Sequence, residues 1–161
     1  MSFGLASCCK RSNAQCVFEA LHLCGKRVTI QSGRVARSSM AMKLNLITQL
    51  EAKFLRVDVD ADQHVILTPV ESLAEAQGVQ FLCPQCFENN GGPVGTESIL
   101  CYFNGRGVPP EMTPGPGRWN PAGSGLHDLT FVPPGAVSVK LNGGCNWHGF
   151  IVNGHAQSTP A

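Results

Sequence analysis

Several features are scarce in this chain of 161 residues. Charged side chains make up 14 % and the formal net charge is +1, so no bulk field draws the protein to nucleic acid or an anionic membrane. Aromatic residues are 7 %, and apolar positions seldom recur at helical spacing, which argues against an all-helical bundle. No apolar run approaches the ~18 residues that cross a bilayer. The opening MSFGLASCCKRSNAQC has no uninterrupted apolar core behind a basic head and does not read as a secretory signal. Catalytic signatures are missing as well: there is no G-x-S-x-G, no phosphate-cradling loop opening onto a helix, no paired-carboxylate motif and no H-x-E.

Turn formers and cysteines are abundant. The chain has 18 glycines, 11 prolines and eight cysteines. Without a secretory signal the cysteines are expected in a reducing cytoplasm, where closely spaced pairs point to metal rather than to a disulfide framework. Charge is unevenly spread. Residues 1–41 carry six basic side chains (Lys10, Arg11, Lys26, Arg27, Arg34, Arg37) against one acid, Glu19, whereas residues 42–161 carry six basic and ten acidic ones. We therefore divide the chain into a basic leader, 1–41, and a single domain, 42–161. CVFEALHLCG in the leader could form two helical turns, but isolated helices that short are marginal. The leader reads as a disordered or start-site extension, with Met42 as the candidate start; a transit-like or nucleic-acid-seeking basic arm is the rival reading.

The domain reads as short strands between turns. FLRVDV (54–59), HVIL (64–67), VQFLC (79–83), SILCYF (98–103), LTFV and VSVKL are strand-like. GFIVNGHA contains Asn153-Gly154, a type I′ hairpin signal because both turn positions require positive φ. PVESLAEAQG, with Pro69 near its start and Gly78 as a stop, predicts the one short helix. Residues 104–125 hold six glycines and five prolines and predict a long surface excursion around Trp119. The expected fold class is mainly β: a small antiparallel sheet domain with one short helix.

The chemistry concentrates in two short stretches. CPQC places Cys83 and Cys86 at the spacing that lets two thiolates grip a tetrahedral ion. CNWH repeats that spacing with Cys145 and His148. Together they predict a closed Cys3His zinc site, zinc-ribbon-like, although the two halves are much further apart in sequence than in compact fingers. Loop-closure entropy rises only logarithmically with length, so the separation is tolerable. A redox C-x-x-C belongs at a helix N-terminus, and CPQC runs into FENNGGP, which reads as a poor helix. Cys101, among apolar neighbours, reads as a small buried hydrophobe. His127 and Asp128 are adjacent and, on a strand, would face opposite ways. Trp119 reads as core packing first and as a lid or binding platform second. His64 and His155 read as exposed. Trp147, between the two predicted ligands, is expected to pack over the site or the sheet.

The stretches FLCPQCFENNGGPVGTESILCYFNGRGVP, GRWNPAGSGLHDLTF and GGCNWHGFIVNG resemble a family of small uncharacterised bacteriophage and prophage proteins. The C-terminal part is similar to the DUF6527 grouping in its Trp, its LT strand and its closing Cys/His–aromatic–Asn-Gly hairpin. The likeness covers roughly residues 54–155 and brings no established activity. It implies a phage- or prophage-encoded protein acting in a bacterial cytoplasm; separately, a host or phage protein is the expected partner and no membrane is expected. The expected function is a non-enzymatic zinc-binding accessory or interaction module. The alternative is a zinc-dependent hydrolase or nucleic-acid-modifying enzyme with an open metal position, for which Trp119, His127 and Asp128 are the residues to inspect. The acidic domain weighs against simple nucleic-acid binding.

Overall fold

A computed structural model describes residues 42–62, 64–115 and 117–159; the readings made for residues 1–41 lie outside them. The elements are β1 (Lys43–Asn45), β2 (Lys53–Val59), β3 (Val65–Val70), β4 (Gly78–Leu82), α1 (Pro84–Asn90), β5 (Ser98–Tyr102), β6 (Asn120–Ala122), β7 (Thr130–Val132), β8 (Ser138–Lys140), β9 (His148–Val152) and β10 (His155–Ser158). The expected β-rich class is what forms. One four-stranded sheet runs β3-β2-β4-β5, another runs β1-β10-β9-β8, and β6 pairs with β7. Every pairing between these strands is antiparallel.

Both large sheets contribute one face to a single apolar cluster. Phe54, Val79, Phe81, Ile99 and Cys101 come from the first sheet, and Leu44, Val139, Ile151 and Ala156 from the second. They alternate along their strands with outward residues, as the two-residue period of a pleated strand requires. Phe103 and Phe131 meet edge to face with ring centroids 6.4 Å apart, which brings the β6–β7 pair into the same core. The β9–β10 hairpin has the expected turn, with φ of 48° at Asn153 and 71° at Gly154. A Cβ on Gly154 would run into the carbonyl oxygens of Leu126 and His127, so close backbone approach demands glycine there as much as the dihedral does.

The helix is not where the sequence pattern put it. Residues 71–77 form a bend and turn, and Pro69 lies inside β3. The register gives the reason. Val70 pairs with Phe54, and β4 begins opposite Leu55, so the chain only has to step across β2, roughly two strand spacings of ~4.8 Å. A helix would overshoot. Proline is tolerated because β3 is an edge strand.

The helix forms instead at Pro84–Asn90. Pro84 opens it at a position whose N–H needs no partner, and Gly91 (φ 69°) closes it, with Gly91 and Gly92 donating to the carbonyls of Glu88 and Phe87.

Residues 104–115 and 117–118 cover the outer face of the first sheet rather than standing clear of it. Tyr102 faces that way yet is 1 % exposed. Its hydroxyl donates to the Thr113 carbonyl (2.9 Å), and the Arg118 guanidinium lies 5.2 Å from its ring centroid. Arg118 also donates to the carbonyls of Pro109, Pro110 and Met112. One side chain thereby fastens a proline-rich segment that has few backbone donors of its own. β6, at the end of the predicted excursion, is a further short strand that its Asn-Pro-Ala sequence did not signal.

Candidate metal centre

Cys83 lies between β4 and α1. Its backbone N–H donates to the Glu97 carbonyl (2.7 Å), and its carbonyl accepts the Phe87 N–H (2.9 Å). The helix start thus fixes Cys83 and Cys86 on one turn. Cys145 lies in the β8–β9 loop, which Leu141 N–H closes onto the Trp147 carbonyl (2.9 Å). Gly144 (φ 59°) and Asn146 (φ 53°) both adopt the left-handed conformation, which curls the backbone tightly enough to turn Cys145 toward α1. The Cys83 and Cys145 sulfurs come within 3.0 Å across 62 residues of sequence. All three Sγ atoms of Cys83, Cys86 and Cys145 lie within 4.8 Å of one another and can hold a metal ion.

His148 does not join them. Among the described residues, the ligand atoms that converge here are the three sulfurs; His148, the fourth ligand expected from spacing, is outside this group. The register explains this. His148 opens β9 opposite Lys140, two residues from Phe150, which pairs with Ser138. His148 and Phe150 therefore share the outward face, and their rings lie 6.2 Å apart. Trp147, one residue earlier, points inward. It is 2 % exposed, meets Phe81 edge to face at 6.2 Å and donates from Nε1 to the Ser158 hydroxyl (2.9 Å).

Electrostatics within the cluster are uneven. Burial, then the hydrogen bond with Cys145, pushes the Cys83 thiol up to about 12. Burial and Cys145 also raise Cys86. Desolvation works against the Cys145 thiolate as well. Hydrogen bonds from the Cys83 thiol, the Trp147 backbone N–H and the Cys86 thiol outweigh it, and Cys145 is held below its ordinary value. C-x-x-C does start a helix here, contrary to the sequence reading. Even so, Cys83 is fully buried and its thiol raised, the reverse of an attacking redox cysteine. Cys101 is fully buried in the core and likewise raised by desolvation.

No family model, curated protein or solved structure matches this chain. What the site can do has to be read from its own residues.

Glu97 was missed by sequence reasoning. Besides receiving the Cys83 N–H, it sends its carboxylate toward the second loop: Oε2 would be 3.2 Å from a Cβ placed on Gly144. A lone glutamate ahead of a strand gives no signal of such a role. A second convergent set was also missed, Asp60, Asp62 and His64, in the spacing D-x-D-x-H. It is local and solvated. Asp60 accepts the N–H groups of Asp62 (2.9 Å) and His64 (2.8 Å), and the His64 ring is 76 % exposed. These bonds close the β2–β3 hairpin and hold the Asp60 carboxyl below its ordinary value.

His127 and Asp128 sit on a turn rather than a strand. Asp128 accepts the N–H groups of Ser124 and Gly125, which depresses its pKa. His127 Nε2 lies 3.9 Å from Asp128 Oδ1. Their neighbour Leu129 accepts the Gly154 N–H, so this turn adjoins the far end of β9 from Cys145. At ~3.3 Å per residue, the strand separates the two by roughly 15 Å. Trp119 packs on Phe131 (centroids 5.8 Å apart) and donates to the Ser138 carbonyl (3.0 Å). It lines a cleft of about 230 Å³ between β5 and β8, along with Leu100, Val139 and Lys140. His155 is half-buried, its Nδ1 2.7 Å from the Asn153 carbonyl oxygen. Among the described residues, no helix is long and apolar enough to cross a membrane.

Proposed function

We propose that this protein is a zinc-clamped interaction module rather than an enzyme. One observation carries the reading: three thiols from two distant loops converge at the end of the core. Soft sulfur ligands favour Zn²⁺ over hard cations. The ion would tie the β4–α1 turn of one sheet to the β8–β9 loop of the other. His148 completes a Cys3His set only if its ring turns away from Phe150; otherwise water or Glu97 takes the fourth corner. An open corner suits the enzyme reading, but the general-base candidates His127 and Asp128 stand at the opposite end of β9, so the structural role is preferred.

The partner we propose is an extended protein segment, bound in a bacterial cytoplasm, the setting implied by the phage-like residues. The cleft between β5 and β8 supports this. The Tyr102 carbonyl accepts the Trp119 N–H, so by the alternation of an antiparallel ladder Leu100 turns its backbone groups to the same open edge. Ser138 and Lys140 do so from the other side, where the Ser138 carbonyl already accepts from Trp119. A strand laid in the cleft would continue the row that Trp119 begins.

Elemental analysis of the purified protein, with thermal melts before and after chelation, tests the reading. One zinc per chain and a large fall in melting temperature on chelation are expected. A metal-free protein of unchanged stability refutes it.

A further inference from the structure

We infer that the metal-free protein carries a specific oxidation site, at which peroxide joins Cys83 to Cys145 and leaves Cys86 reduced. This goes beyond the proposed zinc role and stands on sulfur geometry alone. Sequence spacing would pair Cys83 with Cys86, the members of the C-x-x-C. The structure instead holds Cys83 closest against Cys145, with their sulfurs 3.0 Å apart, while Cys86, within 4.8 Å of both, touches Cys145 from the side. Exposure orders the steps. Within this pair Cys145 is partly exposed, as Cys86 is, and Cys83 is fully buried, so peroxide reaches Cys145 before Cys83. The Cys145 sulfur attacks one peroxide oxygen, the O–O bond breaks, and a sulfenic acid and one water form. The Cys83 sulfur then attacks the sulfenic sulfur, the S–OH bond breaks, and a second water leaves with the Cys83 proton. Two thiols are oxidised by two electrons and one peroxide is reduced to two waters. The link joins the same two loops that a metal would, so oxidation replaces an ionic clamp with a covalent one.

Peptide mapping by mass spectrometry tests this on the full chain, chelated, treated with hydrogen peroxide and digested without reduction. A cross-linked peptide pair containing Cys83 and Cys145 is expected, lost on reduction and retained in C86S. A Cys83–Cys86 or Cys86–Cys145 link in the wild type overturns the inference. So does the absence of any Cys83 link at a peroxide dose that fully oxidises a reference dithiol. Neither result bears on whether the reduced protein binds zinc, which elemental analysis decides separately.

Discussion

Two groups of ligand-type side chains converge in this molecule, and they differ in how they are assembled. Asp60, Asp62 and His64 lie on one exposed hairpin turn, within five residues of sequence. Their proximity follows from the turn, and Asp60 already spends its acceptors on backbone N–H groups. Cys83, Cys86 and Cys145 come together only because two sheets fold onto one core, and Cys83 is fully buried. Local clusters of acids need no ion to explain them. Three sulfurs brought together across the fold can hold one, because thiols are poor partners for one another and a metal would replace weak S–H contacts with strong bonds.

If that contrast is right, the two groups respond oppositely to mutation. C145S should abolish metal retention and destabilise the protein by on the order of 5 kcal/mol, the scale of losing a structural metal. Paired D60A and H64A substitutions should leave metal content unchanged; chemical denaturation with elemental analysis of each variant checks both. Trp147 packs behind the thiol cluster, and W147A should cost about 3–5 kcal/mol through its lost contact with Phe81 and the cavity left behind. That loss should persist in chelated protein, which separates packing from ligation. At the far end of β9, G154A should cost about 1–2 kcal/mol or more, since φ is 71° and the new Cβ meets carbonyl oxygens. Metal content should be unaffected there.

The smallest effect concerns pH. The Asp60 carboxyl is held below 3.8, first by the His64 backbone N–H. It therefore contributes stability at pH above that value, and the contribution disappears as pH falls through the lower folded value. D60N should flatten this part of an acid melt series without touching metal binding.

The strands were legible because alternation, bounding turns and an Asn-Gly pair all agreed, from FLRVDV to GFIVNGHA. Helix placement was not. PVESLAEAQG has helical composition, but β4 starts beside the end of β3 and leaves no length for a helix. CPQCFENNGG looked weak because Asn and Gly dominate its end, yet Pro84 at the first turn and Gly91 just past the last are the signals that should have been weighted. Cys83 and Cys86 could be chosen from their own spacing, and Cys145 only through its spacing to His148. His148 could not be judged that way, because whether a residue beside a strand start faces the loop or the sheet depends on register with β8. The cover over Tyr102 was equally hidden, since only the fold shows that Arg118 lies against its ring.

Zinc K-edge X-ray absorption on the purified, reduced protein tests the central claim most directly. Three sulfurs at about 2.3 Å and one lighter ligand at about 2.0 Å are expected. A shell of oxygen and nitrogen alone, or no bound metal, would contradict it.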